Sequence, residues 1–98
     1  MTRDRVIAAI RSSAPSLHAE GVAHLALFGS RARGEETAGS DLDVLIDVAE
    51  NAPFSLLSLS GVALCLEDAT GIPCQVMLRR SMDPAFASRI RDDLVEVF

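Results

Sequence analysis

The order of the predicted elements indicates a small α/β (α+β) domain with a three-stranded sheet. Residues 22–28 form a short apolar run with the length of a buried strand, and residues 72–78 are predicted to be a further strand. Residues 41–48 alternate acidic and apolar side chains, as a half-buried strand does. Predicted helices precede the first strand, connect the second strand to the third, and follow the third. A chain of 98 residues with 49% hydrophobic content is enough for one domain, residues 1–98, with one modest core.

The first predicted helix covers residues 2–13. Thr2 can cap its N-terminus, and three apolar residues recur on one face with the helical period: Val6, Ile7 and Ile10. Pro15 is expected to end or bend this helix. Residues 16–20 are expected to add another turn before Gly21 stops it.

The remaining helices follow the second strand. Pro53 fits the start of a strongly apolar helix over 54–69, which Gly71 closes. For the last helix, Asp83 and Pro84 fit the N-cap and first positions, and the helix is expected to run to about residue 93. Residues 94–98 form an apolar tail in this prediction.

Charge and composition exclude several classes of protein. The net charge is -5, which does not suit non-specific binding to a nucleic-acid duplex, because that depends on many phosphate contacts. A basic protein partner, or a phosphate carried with its own metal ions, suits the acidic balance better. The sequence lacks a bilayer-length apolar run and a secretory signal pattern, so we expect a cytoplasmic protein with no membrane contact. Cys65 and Cys74 lack the spacing and histidines of a zinc site, and buried apolar side chains are the better interpretation.

The loop after the first strand has the residues of a phosphate site. Gly29 lets the backbone turn sharply and approach a ligand closely. A short helical turn over residues 30–33 would point backbone N–H groups at a phosphate, and Ser30 adds a hydroxyl donor. Arg31 and Arg33 lie in the same loop and could neutralise the negative charge of a phosphate.

Two carboxylates begin the next strand. Asp41 and Asp43 are two residues apart, which places both on one face with their Cα atoms ~7 Å apart at a rise of ~3.3 Å per residue. Carboxylates so placed can share Mg²⁺, which prefers oxygen ligands. Separately, each feature also fits an ordinary turn, a solvated loop or an exposed strand edge. Their combination favours a site for metal and phosphate.

The stretch GSRARGEETAGSDLDVLID resembles the signature of the polymerase-beta-like nucleotidyltransferase superfamily, in its minimal (MNT) branch. In that signature Gly-Ser is followed by ten residues and then Asp-x-Asp, and here Ser30 is followed by ten residues and Asp41-Leu42-Asp43. The residues Ala32-Arg33-Gly34 and Ser40 also match. The resemblance covers nearly the whole chain. It implies the nucleotidyltransferase fold, a small mixed three-stranded sheet flanked by about four helices.

The resemblance also implies a reaction. In the superfamily the Gly-Ser loop holds the triphosphate of a nucleotide, with ATP expected here, so the implied nucleotide-binding residues are Gly29, Ser30, Arg31, Arg33 and Ser40. The implied metal ligands and catalytic residues, Asp41 and Asp43, hold a two-ion Mg²⁺ site. An acceptor hydroxyl then attacks the α-phosphate and pyrophosphate leaves. MNT proteins often pair with a HEPN toxin, and the resemblance implies an antitoxin that binds Mg-ATP and transfers AMP to this partner.

The sequence departs from the superfamily at one position. Members commonly carry a third carboxylate on the strand after the central helix, and here that position falls on Gln75. An amide brings no charge and is a poor general base, so only one of the two metal ions is expected to be held well. The alternative is therefore a weak or inactive enzyme, an antitoxin that neutralises its partner by binding alone. Modification of a small molecule, such as an antibiotic, fits less well because the chain lacks room for a second domain. Homo- and hetero-oligomers both stay open.

Overall fold

The computed structural model describes residues 2–35, 37, 39–49, 51 and 53–98. Two helices precede the first strand, after which helices and strands alternate, with two short 3₁₀ turns in the C-terminal part. The elements are α1 (Arg3–Ser12), α2 (Ala14–Ala19), β1 (Val22–Phe28), α3 (Gly29–Arg33), β2 (Leu42–Val48), α4 (Leu56–Thr70), β3 (Cys74–Leu78), the turn Arg79–Ser81, α5 (Pro84–Ile90), the turn Arg91–Asp93 and β4 (Val95–Glu96).

The four strands form one mixed sheet in the order β3-β2-β1-β4. Strands β1 and β2 are antiparallel, β2 and β3 are parallel, and β4 lies antiparallel to β1. The predicted fold class, a mixed sheet with flanking helices, is confirmed. The helix α4 provides the crossover that a parallel pair needs between β2 and β3.

The fourth strand is a difference from the sequence prediction, which gave residues 94–98 as an apolar tail. Strand β4 pairs with Ala26 and Leu27, and the N–H of Val97 donates to the carbonyl of Leu25 over 2.8 Å. The N–H of Leu25 in turn donates to the carbonyl of Phe98 over 3.2 Å. Two paired residues are too few to show a strand period, so only the tertiary pairing reveals this edge strand.

Apolar side chains pack on both faces of the sheet. The larger cluster lies between the sheet and the helices α1, α2 and α4, and its fully buried members include Val6, Ile10, Leu17, Leu25, Leu27, Leu42, Val44, Ile46, Val62 and Leu66. A smaller cluster on the opposite face consists of Phe28, Leu45 and Ile90, with Met77 and Phe86 packed against it. Helix α5 therefore covers only part of the second face, and the end of that face near Asp43 stays open as a cleft.

The helix ends follow local capping chemistry. Thr2 caps α1 by accepting from the N–H of Arg5, and Asp83 caps α5 by accepting from the N–H of Ala85 over 2.7 Å, both as predicted. The predicted start of α4 at Pro53 is wrong, because the helix begins at Leu56. Ser55 is its N-cap and exchanges reciprocal hydrogen bonds with Ser58. This capping box satisfies two backbone donors, which a proline cannot do.

Helix α4 carries apolar side chains on all sides, and three of its leucines face solvent. Leu56 and Leu57 are each 83% exposed and Leu64 is 61% exposed. Both cysteines are free thiols and partly buried. In the described part of the chain, no helix combines the length and apolarity needed to cross a membrane.

Candidate active site

The site lies where β1 ends and β2 begins. Phe28, the last residue of β1, is paired with Asp43 of β2, and α3 starts immediately at Gly29. Gly29 has a φ of +77° and lies directly against the Asp43 side chain. A Cβ at this position would overlap with Oδ2 of Asp43 and lie 3.1 Å from its Cγ. Glycine is therefore required both for the turn and for the close approach to the carboxylate.

The two aspartates differ in their surroundings. Asp43 lies on β2 and is half-buried, whereas Asp41 directly precedes the strand and is exposed. Burial raises the pKa of the Asp43 carboxyl, and the negative charge of Asp41 raises this pKa further. The positive charge of Arg33 acts in the opposite direction. The negative charge of Asp43 is thus less favourable here than in water, and a bound cation would stabilise it.

The two loop arginines have different roles in the fold. Arg31 is buried, with 8% of its surface exposed, and its Nε donates to the carbonyl of Ser40 over 3.0 Å. Arg33 is exposed and forms ion pairs of 2.9 Å with Glu35 and with Asp93. These carboxylates raise the pKa of Arg33. Arg31 therefore fixes the loop, and Arg33 is the arginine whose side chain borders the cleft.

The two serines lie at the ends of the same loop. The carbonyl of Ser30 accepts from the N–H of Glu35 over 2.9 Å, which closes the turn after α3. The hydroxyl of Ser40 accepts from the N–H of Thr37 over 2.9 Å. Ser40 thus receives hydrogen bonds on its hydroxyl from Thr37 and on its carbonyl from Arg31, and it holds the segment that leads into Asp41.

Gln75 lies beside Asp43. The two residues are register partners in the parallel pair of β2 and β3. The side chain of Gln75 is exposed and borders the cleft. The position at which the resemblance expects a third carboxylate is therefore adjacent to Asp43, and an amide occupies it.

A cleft of about 470 Å³ opens beside Asp43, and four of the predicted site residues are not among those that line it: Ser30, Arg31, Ser40 and Asp41. Its lining residues are Phe28, Gly29, Arg33, Asp43, Gln75, Met77, Phe86, Ile90 and Asp93. Sequence reasoning missed Phe28 and the last four as lining residues. Two signals could have indicated three of them: Met77 follows Gln75 at the strand period, and Phe86 and Ile90 are four residues apart on one helix face.

The donor set fits magnesium. The carboxylate of Asp43 lies against the backbone of α3 at Gly29, and the carboxylate of Asp41 is near enough for its charge to raise the pKa of Asp43. Within the described residues no group of three or more His, Cys, Asp or Glu side chains could hold a metal ion. Mg²⁺ commonly binds one or two carboxylates and completes its shell with water and substrate phosphates. Such an ion fits a site with two aspartates and room for a phosphate, whereas an all-protein metal cage does not.

Comparison with known sequences decides the family. The profile of the nucleotidyltransferase domain matches residues 7–97. The chain belongs to this nucleotidyltransferase family. A candidate protein adenylyltransferase of Methanocaldococcus jannaschii is 34% identical to this nucleotidyltransferase domain over 87 residues, which cover 89% of this chain and 91% of the relative. The protein adenylyltransferase MntA of Thermococcus cleftensis is 32% identical over 77 residues, or 79% of this chain and 76% of the relative.

Solved structures confirm the nucleotidyltransferase fold. A structure described as a minimal nucleotidyltransferase superposes with a TM-score of 0.81 at 25% identity, covering 97% of this chain and 95% of the other. A toxin–antitoxin structure with AMP-PNP superposes with a TM-score of 0.71, covering all of this chain and 73% of the other. Its 17% identity makes this second likeness one of fold alone.

Proposed function

We propose that this nucleotidyltransferase domain binds Mg-ATP and acts as an antitoxin that transfers AMP to a HEPN-type toxin partner. One observation carries the nucleotide-binding part: Gly29 lies directly against the Asp43 carboxylate, so the start of α3 and this carboxylate share one cleft. Phosphate-binding and metal-binding groups are thereby adjacent. The relatives named as protein adenylyltransferases support a protein acceptor, and the toxin–antitoxin structure that shares the fold supports a toxin partner.

The proposed roles of the residues follow from their charges. Asp41 and Asp43 would hold Mg²⁺, which when bound stabilises negative charge on the attacking and leaving oxygens. The backbone of α3, the Ser30 hydroxyl and the guanidinium of Arg33 would hold the triphosphate. Arg33 starts from ion pairs with Glu35 and Asp93, so a bound phosphate must compete with these carboxylates for its N–H groups.

The nucleotide-binding part is tested by calorimetry. Mg-ATP is titrated into the wild type and into Asp43→Ala, with Asp47→Ala as the matched control. Asp47 lies on the same strand and pairs with Arg79 over 2.8 Å, and it is not among the residues that line the cleft. We expect measurable heat for the wild type and the control, and none for Asp43→Ala. Equal heats for all three proteins, or none for any, would refute Mg-ATP binding at Asp43.

A second function has its own observation. Gln75 leaves the acceptor side of the site without a third carboxylate, while three exposed leucines on α4 offer contact surface. Both features favour an antitoxin that neutralises its partner by binding alone. Mass spectrometry of the co-expressed toxin separates the two functions. An added AMP that disappears with Asp43→Ala supports transfer, and an unmodified but neutralised toxin supports binding alone.

A further inference from the structure

The cleft has two halves of different chemistry. Its polar half contains Gly29, Arg33, Asp43 and Gln75, with Asp93 behind Arg33. Its other half is an apolar wall that sequence reasoning did not anticipate, formed by Phe28, Met77, Phe86 and Ile90. Within the cleft, the proposed phosphate and metal site uses only the polar half. The apolar half has no part in the function described so far.

The wall is built from β1, β3 and α5. Phe28 and Ile90 are nearly buried and form its floor, whereas Met77 and Phe86 are half-buried and present surface to the cleft. The rings of Phe28 and Phe86 pack edge to face, with 6.0 Å between centroids and an interplanar angle of 82°. The guanidinium of Arg89 lies 5.5 Å from the centroid of the Phe86 ring. The Phe86 ring is thus held in one orientation from two sides.

We propose that the surface of Met77 and Phe86 binds the base of the nucleotide, an inference that rests on the proposed function. A nucleoside triphosphate has a charged tail and a flat base whose ring faces are weakly polar, and the two halves of the cleft match the tail and these faces. The volume of about 470 Å³ lies within the range of small-molecule sites, ~300–1,000 Å³. A ring stacked on an aromatic side chain, with a methionine sulfur nearby, is a favourable environment for a base.

The composition of the wall also sets the specificity. The side chains of the four wall residues offer no strong hydrogen-bond donor or acceptor. Base edges are distinguished by hydrogen bonds, whereas stacking tolerates any base because every base has a π-face. The isolated chain therefore binds ATP and GTP with affinities within a few-fold of each other. It binds pyrimidine triphosphates more weakly, because their single ring covers less of the wall.

The test compares two ligands that share a charged tail. Mg-ATP and Mg-tripolyphosphate are titrated by calorimetry into the wild type, Phe86→Leu and the control Phe54→Leu. Phe54 packs near Gly21, away from the cleft, and leucine at either position keeps apolar bulk while removing the ring. We expect Phe86→Leu to weaken ATP binding about tenfold, in line with base stacking, and to leave tripolyphosphate binding within about twofold. The control should match the wild type for both ligands.

The outcomes separate this inference from the proposed function. If the wild type binds neither ligand, the proposed function is refuted, and this inference is refuted as well because it depends on nucleotide binding. If the wild type binds tripolyphosphate as tightly as ATP, or if Phe86→Leu weakens both ligands equally, the phosphate site stands and the base site is refuted. A preference for ATP over GTP of about a hundredfold would likewise overturn it, because such a preference needs hydrogen-bonded recognition.

A second measurement avoids any dependence on how Phe86→Leu folds. The chain has three methionines, and the methyl signal of Met77 is assigned by its loss in Met77→Leu. A base stacked beside Met77 shifts this methyl signal through its ring current. We expect the shift with Mg-ATP and not with Mg-tripolyphosphate. The same shift with both ligands, or with neither, would contradict contact between Met77 and the base.

Discussion

Replacing Gly29 by alanine is expected to destabilise the protein more than the same change at Gly34. The two glycines have almost the same backbone conformation, with φ of +77° and +74°. The left-handed conformation costs alanine ~1–2 kcal/mol. Because alanine is less flexible than glycine in the unfolded chain, it loses less entropy on folding, which offsets ~0.4–1 kcal/mol of that cost. A Cβ on Gly34 would meet no atom within 4 Å. Gly34→Ala should therefore lower the free energy of unfolding by only about 1 kcal/mol.

Gly29→Ala adds a steric cost to this backbone cost. Its Cβ would overlap with Oδ2 of Asp43 and lie 3.3 Å from the Cβ of that residue, so the carboxylate must move. Overpacking of this kind costs roughly 1–3 kcal/mol. In a domain of this size 1 kcal/mol changes Tm by roughly 4–8 °C, so Gly29→Ala should melt at least about 4 °C below Gly34→Ala.

Thermal unfolding followed by circular dichroism measures the difference between these variants. The double variant Gly29→Ala/Asp43→Ala removes the carboxylate and should recover most of the additional loss, which makes the two changes non-additive. Equal melting temperatures for Gly29→Ala and Gly34→Ala would refute the reasoning. So would a double variant that loses the sum of the two single effects.

Four further predictions concern charge, thiol chemistry and surface. The raised pKa of Asp43 means that the folded protein holds this proton more tightly than the unfolded chain, so the contribution of Asp43 to stability falls as the pH rises from the ordinary value of 3.8 to the raised pKa of the folded state, and it is constant above that. Asp43→Asn should then unfold at higher urea concentration than the wild type at about pH 7 but not at about pH 3, and a lower midpoint at pH 7 would contradict this. Gln75→Asp should lower Tm without metal and increase the rise in Tm that MgCl₂ produces, because it places a third carboxylate next to Asp43; an unchanged response to MgCl₂ would count against it. Burial raises the pKa of Cys74 from 9.0 to about 11, so its thiolate fraction at about pH 8 is about 100-fold below the ordinary one. Alkylation of Cys74 by iodoacetamide should be correspondingly slow until urea unfolds the chain, and fast labelling of the folded protein would be inconsistent with that pKa. Replacing Leu56 and Leu57 by glutamine should change the free energy of unfolding by less than ~0.5 kcal/mol, since both are 83% exposed, while weakening toxin binding in calorimetry; unchanged affinity would exclude them from the interface.

The site divides into a part that sequence alone predicts and a part that it does not. Gly29 and Asp43 are fourteen residues apart, yet the antiparallel hairpin of β1 and β2 brings them together, and alternation of acidic and apolar residues predicts that second strand. Arg31 and Arg33 look equivalent in sequence, because neither residue type nor spacing reveals which side chain is buried. The pairing of Arg31 with the Ser40 carbonyl distinguishes them, and it depends on how the loop returns to the sheet.

The apolar wall escaped prediction for a topological reason. Its residues come from β1, β3 and α5, which are distant in the chain, and each residue alone is an ordinary core side chain. Only the position of α5 over the second face of the sheet exposes Phe86 and Met77 to the cleft. Strand β4 also escaped prediction, because two residues are too few to show alternation of polar and apolar side chains. The start of α4 was misplaced because Pro53 predicts a helix start, whereas the reciprocal hydrogen bonds of Ser55 fix the start two residues later.

The neutral residue at position 75 connects the electrostatics of the site with its proposed function. The carboxylate of Asp43 is already disfavoured by burial and by the charge of Asp41. A third carboxylate at the register position of Gln75 would add repulsion whenever no metal is bound. Gln75 therefore reduces charge repulsion at the metal-free site, which favours the folded state. Under the proposed function, the same amide leaves one carboxylate fewer to activate an acceptor hydroxyl. Under the proposed function, nucleotide binding would depend on Asp43 and group transfer on position 75 of the neighbouring strand, so substitutions at these two positions would separate the two steps.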